Sequence, residues 1–399
     1  GVSLVDNIMI LIINIFAALA TGGAVVAGQY IGRKDEKSAC KAATQLVWFV
    51  SLSAVAIMIL VYFGKDIILN QVFGHITAEV KGHADIYLLI VTASIPFIAL
   101  YNGGAAIFRA MGNSQVSMRV SLLMNAINVT GNAILVFGLR IGTAGVAIPT
   151  LISRMVAAIV ITVLLCNQTR ILHIERTLKI RFDGRMIRKI LAIGVPNGLE
   201  NSMFQLGKIL VLSLVSTFGT YAIAANAVSN AIALFQILPG MAISLAITTV
   251  ISQCVGANDY EQVHYYLKKL LAIIYVAMVG TVALIFLALP LILKAYNLSD
   301  QTAAAANIIH FHGISAMIIW PLSFALPAAY RAAGDAKACM YTSIVSMWIF
   351  RIGFSYLVGK YMGLGVFGVW VAMVIDWVVR AICFIIRYFN GKWKHGAIV

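Results

Sequence analysis

The sequence predicts an all-α polytopic membrane protein built from two parallel, pseudo-symmetric six-helix bundles. Apolar composition, unbroken apolar runs at regular spacing and an internal repeat together carry that prediction. Of 399 residues, 61% are hydrophobic and 11% charged, and the mean hydropathy is +0.95. A soluble domain is about half apolar and a quarter charged. A water-soluble globule cannot hide this much apolar surface, which excludes a soluble enzyme and a disordered chain. The runs are continuous rather than alternating, which excludes a transmembrane barrel.

At about 35 residues per span and loop, the chain has room for about eleven spans. The apolar segments fall at 4–31, 39–63, 84–108, 116–138, 143–166, 193–218, 221–252, 268–293, 304–330, 338–358 and 366–388. Basic residues orient them. If the first span runs inward, twenty of the 29 Lys and Arg lie in inside segments. The basic stretch 168–192, with Arg170, Arg181, Arg185, Arg188 and Lys189, holds many of them. Five lie outside (Lys65, Lys81, Arg140, Lys294, Lys360) and four within spans (Arg154, Lys208, Arg351, Arg380). This asymmetry predicts a cytoplasmic C-terminus and accounts for the net charge of +15 without nucleic acid. The cysteines, Cys40, Cys166, Cys254, Cys339 and Cys383, form no CxxC pair and mark neither a disulfide framework nor a zinc site.

Three local signatures recur. Gln29-Tyr30-Ile31-Gly32 returns as Gln253-Cys254-Val255-Gly256, shifted by 224; Arg109-Ala110-Met111-Gly112 returns as Arg331-Ala332-Ala333-Gly334, shifted by 222. Gly142, Gly145 and Val146 return as Gly365, Gly368 and Val369, shifted by 223. Three matches in order at one offset indicate duplication. The repeated basic turns share a membrane face, so each half holds an even number of spans and the halves are parallel copies. The second half has six spans, and its first maps to before residue 1. We therefore expect one further helix ahead of Gly1, twelve in all, with a cytoplasmic N-terminus on the full-length protein. The predicted organisation is an N-terminal lobe at 1–167, a cytoplasmic amphipathic linker at 168–192, a C-terminal lobe at 193–390 and a cytoplasmic tail at 391–399.

The sequence resembles the multidrug and toxic compound extrusion (MATE) family. The features that carry the resemblance are Gly28-Gln29-Tyr30-Ile31-Gly32-Arg33, Phe108-Arg109-Ala110-Met111-Gly112-Asn113, Tyr330-Arg331-Ala332-Ala333-Gly334-Asp335 and Pro196-Asn197-Gly198-Leu199-Glu200-Asn201. The resemblance implies a monomeric plasma-membrane antiporter with no cofactor beyond its coupling ion. Na⁺ or H⁺ would run inward while an amphipathic organic cation leaves by alternating access between two lobes. A lipid-linked precursor or polysaccharide flippase of the same superfamily is the alternative, and a non-transporting receptor or scaffold the second.

Polar groups in the spans are the candidate chemistry. Asn128 and Asn132, one turn apart and accompanied by Asn125, face Thr150 on the next helix in prospect. By resemblance they match a first-lobe cation site completed by an aspartate on the family's first helix, the one expected ahead of Gly1; their oxygens suit a hard cation, or they join helices by hydrogen bonds. Glu200 is a candidate proton carrier or counter-charge, or the partner of a basic side chain. Family members often carry a glutamate about two turns into this helix, where Phe204 and Gln205 stand here, so Gln205 is a further coupling or substrate candidate. Asp376, with Arg380 one turn on and Arg351 on the preceding span, reads as a structural ion-pair group. His310 and His312, two apart, face different directions and cannot chelate one metal well; His310 is a candidate proton-sensing group. Pro321 and Pro327, six apart, are hinge candidates. No GxxxxGK[ST] or HExxH occurs, so neither ATP-driven pumping nor metalloprotease chemistry is expected.

Overall fold

Each half of the sequence folds through the same series of helix starts and stops. A computed structural model describes residues 2–72, 77–174, 181–298 and 301–399, and among these every regular element is helical. α1 (Val2–Gly32) leads into α2 (Glu36–Phe63) and a short α3 (Lys65–Ile67). α4 (Ala78–Thr92) and α5 (Ile95–Ala110) precede α6 (Ser114–Gly138), α7 (Thr143–Leu165) and α8 (Gly184–Ser216). α9 (Thr220–Gly256), α10 (Tyr260–Ala295), α11 (Gln301–Ile318), α12 (Pro321–Ala332), α13 (Ala336–Tyr361) and α14 (Val366–Asn390) follow. Eight helices are long and apolar enough to cross a membrane unaided, and two bent pairs, α4–α5 and α11–α12, qualify when each is taken as one span. α8 coincides with the remaining apolar segment. Asn197, Glu200, Asn201, Gln205 and Lys208 make its middle less apolar than a simple span.

The duplication is written in the turns. Lys34 and Asn258 hold the same left-handed conformation (φ 62° and 55°). Asp35 and Asp259 follow them and cap the next helix, each side chain accepting a hydrogen bond from a backbone N–H, of Ser38 at 3.1 Å and Gln262 at 3.2 Å. Hydrogen bonds from Ser38, side chain first and backbone second, hold the Asp35 carboxyl below the usual carboxylate range. The glycines of the repeated Arg-Ala-x-Gly turns, Gly112 and Gly334, sit at φ 83° and 95°, where a Cβ is strained. Gly142 and Gly365, which open α7 and α14, do likewise at 79° and 64°. One difference breaks the symmetry: α6 has 25 residues and α13 has 26. The offset accordingly changes from 222 to 223 across this helix. Both helices end in a wide π turn, Ala133–Gly138 in α6 and Ser355–Tyr361 in α13; α13 absorbs the extra residue in a further one, Met347–Gly353, a form common at functional positions.

The chain divides into two compact units, Gly1–Gly198 with Val399, and Leu199–Ile398. The division falls within α8, because that helix runs on from the C-terminal part of the linker without a break. In the first unit α1 packs against α2 and α5, α5 against α7, and α7 against α4 and α6. Small residues permit close approach: a Cβ on Gly23 would meet Leu46, one on Gly104 would meet Ile161, and one on Gly131 would lie 2.7 Å from Pro149. Phe16, Leu46, Leu88, Phe108 and Ile161 fill the core. Of the linker, residues 175–180 lie outside the described residues. Its following stretch is clasped by α2: Lys41 pairs with Asp183 at 2.6 Å, and Gln45 accepts from the Asp183 N–H and donates to the Arg181 carbonyl. The Lys41 ammonium holds the Asp183 carboxyl below its usual range.

In the second unit α9 packs on α10, α11 and α12, and α13 on α14. Gly240 faces the Trp320 ring and Gly368 the backbone of Gly359. The segment after α14 is folded onto this unit rather than extended. Lys392–His395 form a 3-10 turn, and Trp393 is fully buried, stacked on Tyr388 with edges to Tyr260 and His264.

Candidate ion and substrate sites

In the first unit the Asn128–Asn132 pair forms as spacing requires. Asn132 Nδ2 donates to Asn128 Oδ1 at 3.3 Å, and Asn132 Oδ1 is buried with no hydrogen-bond partner. Gly131, between them, presses α6 onto Pro149 of α7. Thr150 is the next residue; it is buried, and its hydroxyl donates to its own helix at Val146 O (3.2 Å). The arrangement offers neutral oxygens and no carboxylate of its own. Among the described residues no group of three or more His, Cys, Asp or Glu is placed to hold a metal.

A second polar group in this unit was not singled out from sequence. The Tyr87 hydroxyl donates to Asp6 Oδ1 at 2.6 Å, and Arg154 Nη1 donates to Ser94 Oγ at 2.8 Å, within electrostatic reach of Asp6 and Tyr87. Ser94 lies at the 46° break between α4 and α5 and donates to Val91 O, so Arg154 braces the bend. The available signal was Asp6 itself, the one acid in the apolar run Val5–Gly32.

The second unit carries charge. Asp376 is fully buried; its Oδ1 accepts from Arg380 Nε at 2.9 Å and from Ser346 Oγ, while Oδ2 has no partner. Arg380 Nη2 also donates to Ser343 O at 3.2 Å. Arg351 makes no direct salt bridge to this pair, although it lies within electrostatic reach of Asp376 and Arg380. It sits in the first π turn of α13, where the helix is wider than spacing assumes, and its guanidinium lies 5.1 Å over the Phe204 ring. Glu200 faces Arg331 at 3.7 Å, both side chains mostly buried, and its Oε2 has no hydrogen bond. It is therefore a loosely paired carboxylate rather than a solitary one. Gln205, the further coupling or substrate candidate, is half-buried one turn beyond.

Of the two histidines, His310 is exposed and its Nδ1 meets only its own helix, at Ala306 O (2.8 Å), beside Phe286. His312 is the buried member: its Nδ1 lies 2.6 Å from Gln236 Oε1, and Gln236 Nε2 donates to Ile309 O. Trp370 and Trp377 of α14 set their rings edge-on to the imidazole. A residue spacing of two separates the histidines but does not say which one turns inward; Gln236, on α9, decides it. The hinge candidates also separate. Pro321 stands at the 60° break between α11 and α12, whereas Pro327 lies within α12 and its carbonyl accepts from the Cys339 thiol.

A family model described as MatE matches residues 1–134 and 196–357. The chain belongs to the MatE family. MatE proteins are transporters, so this is a multi-pass membrane transporter acting on small molecules, and not an enzyme. Its likeness to curated relatives runs nearly end to end. It is 28% identical to the uncharacterised transporter YisQ of Bacillus subtilis over 98% of this chain and 86% of that protein. It is 23% identical to the probable multidrug resistance protein NorM of Thermotoga maritima over 100% and 86%. Among solved structures, an outward-facing multidrug resistance MATE transporter superposes with a TM-score of 0.91 at 22% identity, covering 98% of this chain and 88% of that one. The MatE fold thus places an uncharged oxygen-bearing pair in the first unit and a cationic, aromatic cluster in the second.

Proposed function

We propose that the chain is a plasma-membrane secondary antiporter that exports amphipathic organic solutes, drugs and organic cations among them, in exchange for Na⁺ or H⁺ by alternating access, working as a monomer with its C-terminus in the cytoplasm. The observation that carries this reading is the matched pair of broken helices. α4–α5 bends by 46° and α11–α12 by 60° in corresponding spans of the two repeats, with Pro96 and Pro321, within a turn of equivalent positions, at the start of the second segment of each. Proline removes a backbone donor and frees a carbonyl, so a span can bend there without tearing a continuous ladder. Duplicated halves with interrupted helices are a recurring design for alternating access. The names of the NorM relative and the multidrug resistance structure support the drug-export part.

The Asn128–Asn132 pair and Thr150 favour Na⁺ as coupling ion, because amides and hydroxyls do not titrate and the buried Asn132 Oδ1 lacks a donor. Vesicles carrying the full-length protein and loaded with a fluorescent dye provide the test, with Na⁺ and pH gradients imposed separately. An inward Na⁺ gradient should drive efflux. Efflux under neither gradient, for cationic and anionic dyes alike, rejects secondary antiport.

A further inference from the structure

Three cations of the second unit converge on one aromatic ring. Lys208 Nζ lies 4.9 Å from the centroid of Phe204, Arg351 Cζ 5.1 Å and Arg380 Cζ 6.0 Å. They come from α8, α13 and α14, each in mid-helix. The single carboxylate present, Asp376, is engaged by Arg380 and Ser346. Among the described residues, neither Lys208 nor Arg351 has an ion pair or a side-chain hydrogen bond. The nearest acid along α8, Glu200, faces Arg331 instead. Arg351 lies within electrostatic reach of Asp376, but that one carboxylate is already bonded to Arg380, so three cations share a single acid in helices of a membrane protein, where surplus charge is costly and ordinarily marks function.

The duplication shows that this arrangement around Arg351 and Arg380 is not a requirement of the repeated fold. In the first unit the residues equivalent to Asp376 and Arg380 are Ser153 and Ala157, and the equivalent of Arg351 is Asn128 or Val129, depending on the side of the inserted residue from which one counts. That copy places its own half-buried cation one residue on, at Arg154, and turns it to Ser94 rather than to a ring shared with other cations. The surroundings also suit a ligand with an apolar body. Phe350 and Phe354 stack on one another along α13, with centroids 5.5 Å apart, and Phe324 lies 5.1 Å under the Arg380 guanidinium. Arginine and lysine together offer a fork and a point charge, a donor set matched to carboxylate, sulfonate or phosphate oxygens.

We infer that the second unit binds an amphipathic organic anion, its acidic group held by Lys208 and Arg351 and its apolar body against Phe204. This deepens the export reading and rests on it for transport: the substrates include organic acids and zwitterions. The same chemistry has two sources, a soluble organic acid or the headgroup of an anionic lipid.

The deciding experiment measures fluorescein binding by anisotropy to the full-length protein in nanodiscs of pure phosphatidylcholine, with ethidium as a cationic control. Lys208→Gln and Arg351→Gln should each weaken fluorescein binding about tenfold, the loss of one charge-assisted contact. The doubly charge-conserving variant, Lys208→Arg with Arg351→Lys, should keep most of the affinity, and ethidium binding should not fall in any variant. Lys208 is exposed on this unit, so its Gln variant tests the site even where the Arg351 variant does not fold. Absence of fluorescein binding by the unaltered protein, or binding unchanged by Lys208→Gln, overturns the inference. Adding phosphatidylglycerol to the discs separates the sources: displacement of fluorescein assigns the site to a lipid headgroup, and retention assigns it to a soluble acid. Charge-dependent binding without efflux under any gradient would reject the antiport reading and leave the anion site standing.

Discussion

Asp376 illustrates what a carboxylate needs in order to stay inside a membrane protein: a guanidinium one turn away and a serine hydroxyl from the neighbouring helix. Removing one member of a buried pair costs more than the pair contributes, because the survivor is left charged and unsolvated. Asp376→Asn should therefore lower stability by about 3–5 kcal/mol, read as a fall in the thermal midpoint of the detergent-solubilised protein. Replacing Arg380 with Gln in the same chain should recover most of that loss. Both residues were legible in the sequence, since a four-residue spacing on a helix sets them face to face. Arg351 was not, because it stands on another helix, and how two helices face one another is not given by spacing, least of all where one of them is widened. For His310 and His312 the spacing gave the divergence of the two side chains but not which one is buried, since burial depends on a glutamine 76 residues away.

The bends belong to the scale of elements. Proline at position 321 both removes a donor and coincides with a 60° change of direction, followed at once by a π turn over Pro321–Ala325. Pro321→Ala restores the missing N–H and favours a straighter span. Efflux should slow by about tenfold, a change of about 1.4 kcal/mol in the barrier, while dye binding in nanodiscs stays within about twofold. Equal losses in both would make the proline a packing residue rather than a hinge. Helix positions, the repeat and the proline breaks could be read from composition and offset, because apolar runs and missing donors are properties of single residues. The wide turns could not, save for the one-residue change in offset. The packing of Trp393 was equally silent, since its partners come from α10 and α14.

Across the whole molecule, one skeleton carries two chemistries. The first unit presents Asn128, Asn132 and Thr150; the second presents Lys208, Arg351 and Arg380 around Phe204. If ion and solute are handled by different copies, lesions in one should spare the other. Replacing Asn128 and Asn132 together with Ala should abolish the Na⁺ dependence of efflux while leaving fluorescein affinity within about twofold, a shift under roughly 0.5 kcal/mol. A matching loss of affinity would place both tasks in one site. The surplus residue of α13 bears on how such a division arises. In a regular helix one extra residue would turn every later side chain by about 100° and advance it by about 1.5 Å. The wide turn over Met347–Gly353 takes up the surplus, so the next turn returns on time at Gly365 and α14 keeps its register with α7. The change is confined to the bulge, where Arg351 stands. A single inserted codon can therefore re-aim one stretch of a copied helix while everything before and after it keeps its place.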